Sequence, residues 1–279
     1  YPAAFACSLL NCQPMGFYAP AQIIRDLADH GIVVRPVDIN ISTWDCTLEE
    51  TALRLGFRQI KGMRQVDAEA LVAERGDGFG SIIDLWRRTG LGRGHLDRLA
   101  RADAFGSLDL DRRAALWAIR GLDDAPLPLF AALESNLEPE VKLPEMSLGE
   151  HVANDYRALA LSLKAHPLAL LRDHLAAEGY GVCGSLAEIA DGKLVKLAGL
   201  VTARQRPGSA KGVMFITMED ETAVANLIVW PKVFEDFRRQ VLSASLLGVE
   251  GRVQKEGRVI HVICQRLSNL TAMLATLGP

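Results

Sequence analysis

Between Lys193 and Leu267 the sequence alternates apolar and polar residues in five runs: Leu194 to Val201, Val213 to Met218, Val224 to Val229, Leu246 to Val253 and Val259 to Leu267. A helical run, Pro231 to Arg239, interrupts them once, after the third. A generic all-β domain needs no helix at that step, whereas the five-stranded OB barrel has one there. The segment is also positive, with twelve Lys and Arg against seven acids, a balance of +5 in a chain of net charge -3. A small barrel with local positive charge suits single-stranded nucleic acid: a basic groove tracks phosphates while strand faces offer rings for stacking.

At 279 residues the chain is long for one core, and two or three domains are expected. Charge is laid out in blocks. Residues 1–53 carry -4, 54–120 carry +4, 121–192 carry -8 and 193–279 carry +5. Five scattered cysteines form no Cys-x-x-Cys pair, which argues against a disulfide framework or a zinc knuckle and for a reducing, cytoplasmic setting. No apolar run reaches the roughly 20 residues of a membrane span, and no signal peptide opens the chain. The chain begins with Tyr1 rather than Met, which reads as a piece of a longer polypeptide.

Before the barrel the pattern is mainly helical. Helices are expected over Tyr1 to Asn11 and Gln22 to His30, a strand over Val33 to Val37, and a hairpin from Trp44 to Leu48 and Ala52 to Phe57. From Gln59 an apolar turn with glycine followed by an amphipathic helix recurs, with helices at Val66 to Arg75, Ile82 to Arg88, Leu96 to Ala104 and Leu110 to Ile119. That recurrence suggests tandem helix-hairpin-helix units. Residues 121–150 are acidic and rich in proline, as a linker is, and helices are expected again over Glu150 to Leu163 and Leu168 to Glu178.

Candidate sites follow from this layout. A turn through Lys61, Gly62 and Arg64 at a helix N-terminus would aim backbone N–H groups at a phosphate beside two basic side chains, and Gly92, Arg93 and Gly94 form a similar turn. The competing role is a tight turn beneath a solvated surface. In the barrel, Arg204, Arg206 and Lys211 lie on the first connecting loop and Lys255 and Arg258 on the last. Phe215, Trp230 and His261 offer rings for bases; core packing is the commoner fate of an aromatic in a barrel, and a structural role is expected of His261. Leu127, Leu129 and Phe130 form an apolar peptide in the linker, suited either to a partner's groove or to packing on the chain's own helices. No catalytic constellation, phosphate loop or metal-ligand pattern emerges.

Several stretches resemble, in order along almost the whole chain, the C-terminal part of bacterial C-family DNA polymerases, the family of the DNA polymerase III alpha subunit. They are Tyr1-Pro2-Ala3-Ala4-Phe5 with Leu9-Leu10-Asn11, Pro36-Val37-Asp38-Ile39-Asn40, Gly56-Phe57-Arg58-Gln59-Ile60-Lys61-Gly62, Leu99 to Phe105 with Arg112-Arg113-Ala114-Ala115-Leu116, Lys164-Ala165-His166-Pro167, Thr217-Met218-Glu219-Asp220-Glu221-Thr222 and Trp230-Pro231-Lys232-Val233-Phe234. Gln13 to Pro20 is similar to the error-prone branch, and the chain stops soon after the barrel where replicative members continue.

The resemblance implies a multidomain α+β chain: the end of a fingers domain (1–45), a β-hairpin with tandem helix-hairpin-helix region (46–120), a linker (121–150), a helical connector (151–192) and the OB-fold (193–270). It implies a parent enzyme that adds deoxynucleotides to a primer, with magnesium held by palm aspartates upstream of Tyr1, so that this stretch alone is inactive and holds no cofactor. The implied partners are primer-template DNA and single-stranded DNA. In the family's duplex-binding hairpin a second glycine usually stands near Arg64. Leu127 to Phe130 falls where replicative members carry a sliding-clamp peptide, but Pro126 stands in place of its leading Gln. The alternative is a non-catalytic scaffold that docks a sliding clamp or mutagenesis accessory proteins.

Overall fold

The computed structural model describes residues 1–14, 19–122, 143–257 and 259–278. It divides into two compact units, Tyr1–Ser147 with Asn154–Leu163, and Leu148–Ala153 with Lys164–Pro279. Among the described residues no helix is long and apolar enough to cross a membrane.

The first unit is mostly helical. It contains α1 (Pro2–Asn11) and α2 (Pro20–Asp29), a small sheet of β1 (Val34–Arg35), β2 (Thr47–Glu49) and β3 (Ala52–Arg54), then α3 (Gln65–Glu74), α4 (Ile82–Thr89), α5 (Arg93–Arg101) and α6 (Arg112–Arg120). Apolar residues at helical spacing, such as Ile23, Ile24 and Leu27 on α2 and Leu96, Leu99 and Ala100 on α5, are the ones that disappear from solvent. They join Phe57, Leu71, Leu85 and Phe105 in one core.

The strands are shorter than the apolar runs suggest, because side chains take over the ladder's hydrogen bonds. The Ser42 hydroxyl receives the Asp38 N–H and donates to the Leu55 carbonyl. The Asp38 carboxylate accepts from the N–H groups of Asn40 and Ser107, and the Asn40 amide bridges the backbone of Phe79. These short polar side chains therefore tie the 38–42 loop to the segments flanking α4 and α5.

Helix α7 (Leu148–Leu159) follows, and its later residues belong to the helical unit. There Asp155 forms an ion pair with Arg112, both almost wholly buried, and Asp155 also accepts from the Ser162 hydroxyl. Two charges removed from water persist only when each is paired, so this contact fixes α7 against α6.

The second unit holds α8 (Pro167–Ala177) and then the barrel: β4 (Leu194–Gln205), β5 (Met214–Glu219), β6 (Val224–Val229), α9 (Pro231–Asp236), α10 (Arg238–Ser243), β7 (Leu246–Glu256) and β8 (Val259–Asn269). Hydrogen bonding closes the strands in the order β4-β5-β6-β8-β7, with β6 and β8 parallel and the other neighbours antiparallel. That order and the helix after the third strand are those of the OB-fold. Strand alternation fixes the faces: Met214, Ile216 and Met218 point into the barrel while Phe215 and Thr217 point out. The expected single helix is two, broken at Phe237.

The turn between β5 and β6 is organised by Asp220, which is fully buried and accepts from the Thr222 N–H and hydroxyl, the Ala223 N–H and the Cys183 N–H. Burial works to raise its pKa, yet these hydrogen bonds outweigh it and hold the carboxyl below the ordinary carboxylate value. The acids Glu219, Asp220 and Glu221 thus build a turn, with Arg172 paired to Glu221 at 2.6 Å.

Candidate nucleic-acid interface

The first candidate site is the turn that leads into α3. Met63 N–H donates to the Ile60 carbonyl across Lys61 and Gly62, and Gly62 has φ +78°, a conformation that costs an L side chain roughly 1–2 kcal/mol. The turn is anchored from behind, since the Lys61 N–H donates to the Ala158 carbonyl of α7 at 2.8 Å. Lys61, Gly62 and Arg64 are all exposed.

Helices α3 and α5 differ from α4 and α6 in their caps. α4 and α6 begin conventionally, with Ser81 accepting from Asp84 N–H and Asp111 from Ala114 N–H. α3 begins at Arg64 and α5 at Gly92, and neither has a side-chain cap. Among the described residues the N–H groups of Gly62, Arg64, Gln65 and Val66 meet no acceptor. An uncapped first turn carries roughly half a positive charge and outward N–H groups, which is the geometry that receives a phosphate.

The two turns are brought together by Asp67. Its carboxylate takes both Nε and Nη2 of Arg64 at 2.7 Å and lies 3.1 Å from His95 Nε2 on α5, while Arg98 Nε sits 3.5 Å from where a Cβ on Gly62 would be. The hydrogen bonds from Arg64, with His95 and Arg98 nearby, hold Asp67 below the ordinary carboxylate range. Arg93 and Gly94, in the first turn of α5, are exposed beside this cluster. A single buried acid thus holds Arg64 of the first turn and His95 of the second.

On the barrel the sequence-level candidates separate. Arg204 is folded onto α10: its Nε donates to the Val241 carbonyl at 2.6 Å and its Nη2 to that of Ala244, capping the C-terminus of α10, and partial burial lowers its pKa. The Lys255 ammonium donates to the Ala187 carbonyl at 2.8 Å. Both are held by protein acceptors. Arg206 is exposed, with its guanidinium 4.8 Å from the Phe234 ring centre, and Arg238 lies 5.9 Å from the same ring. Lys211 is exposed on the loop between β4 and β5. Arg258 lies outside the described residues, as do Leu127, Leu129 and Phe130.

Phe215 and Trp230 are 36% and 52% exposed, so the expectation that barrel aromatics serve the core does not hold for them. Phe215 sits on the outward phase of β5, opposite Ile228 on β6, and Trp230 precedes α9 at the end of β6. With Ser209, Ala210, Lys211, Val213 and Pro231 they line a cleft of about 410 Å³. His261 is half-buried, opposite Asn226 and Gln254.

A helix-hairpin-helix motif family matches residues 31–115, and an OB-fold nucleic acid binding domain family matches residues 195–270. Over 285 residues the chain is 55% identical to the error-prone DNA polymerase of Brucella abortus biovar 1 (strain 9-941), covering 98% of this chain and 26% of that protein. Over 307 residues it is 49% identical to error-prone DNA polymerase 1 of Rhizobium meliloti (strain 1021), covering 99% of this chain and 28% of that one. Over nearly its whole length the chain is thus homologous to one part of error-prone DNA polymerases. It spans about a quarter of the length of these curated relatives. Among solved structures, asparaginyl-tRNA synthetase from Pyrococcus horikoshii aligns over 33% of this chain and 22% of that one, at 26% identity and a TM-score of 0.28, too low to bear on the fold.

Sequence reasoning missed Asp67, His95, Arg98 and Arg238. Asp67 carried a readable signal, three residues after Arg64 in the first turn of a helix, where an acid reaches the N-cap residue. The contact of His95 and Arg98 with the first turn depends on how α5 packs against α3, and no local pattern encodes it. Among the described residues no group of three or more His, Cys, Asp or Glu side chains is arranged to hold a metal ion.

Proposed function

We propose that this chain is the DNA-gripping part of an error-prone DNA polymerase, holding primer-template duplex through the two glycine turns of the helical unit and single-stranded template through the barrel, in the cytoplasm. The carrying observation is the pair of helices without side-chain caps at Arg64 and Gly92, where α4 and α6 are capped, with Arg64 and His95 held between them by Asp67. Backbone N–H groups recognise phosphate whatever the base, which suits a grip that must slide along any sequence.

Nucleotide addition by magnesium-bound aspartates belongs, on this reading, to another part of the polymerase. No catalytic step is assigned to the residues of this chain.

Titration of the chain with a primer-template at two salt concentrations tests the proposal. Phosphate contacts release counterions, so affinity is expected to fall steeply as salt rises. Absence of binding, or affinity indifferent to salt, contradicts it.

A further inference from the structure

Arg64 stands at the first glycine turn, yet its donors are already engaged. Nε and Nη2 both reach the Asp67 carboxylate at 2.7 Å, so the guanidinium is tied to its own helix. Turning it to a phosphate leaves Asp67, whose side chain is 7% exposed, short of a counter-charge, and a carboxylate buried without its partner is costly.

A second group able to carry positive charge stands at the same carboxylate. His95 Nε2 lies 3.1 Å from Oδ2, the oxygen that also takes Arg64 Nε. Asp67 is held below the ordinary carboxylate range, chiefly by Arg64, and has no proton to donate, so Nε2 carries the ring's N–H. Nδ1 is then the atom that receives a second proton. It is buried without a hydrogen-bond partner among the described residues, 3.8 Å from where a Cβ on Gly92 would be. Gly92 opens α5, and its N–H and that of Gly94 meet no acceptor among the described residues. A phosphate at this turn therefore lies near Nδ1, and its charge favours the protonated ring. The charged groups around the ring are Asp67 and Arg64 from the α3 side and Arg93 and Arg98 of its own helix. The arginines oppose a charge on the ring and Asp67 supports one.

Resting on the DNA grip proposed above, we propose that His95 makes that grip proton-linked: a duplex phosphate draws Arg64 off Asp67, and His95 takes a proton from solvent and becomes the cation that Asp67 keeps. Asp67 stays matched throughout, and one proton is gained on binding. Without that proton Arg64 is shared between carboxylate and phosphate, and the grip is looser. Imidazole changes charge between about pH 5 and 8, which places the linkage in that range. Binding that takes up a proton is tightest at low pH and weakens as pH rises, by up to about tenfold for each pH unit.

The test measures affinity of the chain for a primer-template from about pH 6 to 8 at constant ionic strength, and the heat of binding in two buffers of different ionisation enthalpy, which counts protons. Affinity should fall several-fold or more across the range, with net uptake of protons by the complex. His95→Gln keeps a donor for Asp67 but gains no proton, so its affinity should be flat with pH, near the parent's weak, high-pH value. Asp67→Asn frees Arg64 and should also be flat, but at the parent's tight, low-pH value or above it. These opposite levels separate the linkage from a packing role, in which both variants bind more weakly at every pH; that result overturns it. Should a variant melt earlier than the parent, the buffer comparison on the parent decides, and absence of proton uptake overturns the proposal. Salt-dependent binding that is indifferent to pH, or a pH dependence that survives His95→Gln, overturns the linkage and leaves the DNA grip standing. Failure of the primer-template to bind at any pH refutes the grip and the linkage together.

Discussion

The helical unit and the barrel present positive charge in opposite ways. On the proposed reading the glycine turns offer a phosphate backbone N–H groups fixed by the helices they begin, with Lys61 and Arg64 beside them and Asp67 holding Arg64 and His95. On the barrel the exposed groups are side chains: rings at Phe215 and Trp230, and cations on a loop. A backbone site reads phosphate spacing and is blind to bases, while an aromatic cleft needs a base that has left its stack. The difference teaches that net positive charge alone does not define a DNA site, since Arg204 and Lys255 are as basic as their neighbours and are held by protein carbonyls.

The contrast predicts different sensitivities. The largest effect is expected from Arg112→Ala, which leaves Asp155 buried without its partner; losing one member of a buried pair costs about 3–5 kcal/mol. Because α7 carries both Asp155 and the Ala158 carbonyl that anchors Lys61, denaturant unfolding should show the helical unit weakened and duplex affinity reduced, with the barrel's transition unchanged. An unchanged helical transition would separate the turn from this scaffold.

Next in size, Lys61→Ala with Arg64→Ala should lower duplex affinity on the order of tenfold to a hundredfold and single-strand affinity much less. Gly62→Ala, forced to φ +78°, should cost about 1 kcal/mol of stability in a thermal melt and weaken the duplex grip more than the single-strand grip. An unaltered melt would show that the turn relaxes.

The smallest effect is on pH. Asp67 has its folded pKa held below the ordinary carboxylate value by Arg64, so its contribution is present above about pH 4 and is lost as pH falls through the depressed value. Acid unfolding of the helical unit should therefore be less steep in Asp67→Asn. The barrel's acid transition, to which Asp220 contributes in the same direction, should stay as it is.

The barrel was legible in the sequence because its signals are local: period-two alternation marks strands, and Pro231 starts a helix at the third-strand step. The glycine turns were legible for the same reason, since Gly62 and Gly92 mark the chain where they act. What escaped is set by long-range packing. Nothing near Arg204 announces that α10 ends beside it, and nothing near Phe215 says that its face of β5 lacks a covering layer. Strand ends at Val37 and Phe57 were overextended because Ser42, Asp38 and Asn40 replace ladder bonds with side-chain ones, an exchange visible only once the loop is folded.

The central claim, that the two regions grip different features of DNA, is tested most directly by measuring affinity against salt for duplex and for single strand, in the parent chain and in the Lys61→Ala, Arg64→Ala variant. The account predicts that the variant's duplex salt slope falls by about 0.9 for each phosphate that is no longer neutralised, with the single-strand slope nearly unchanged. An equal fall of slope on both ligands would contradict it.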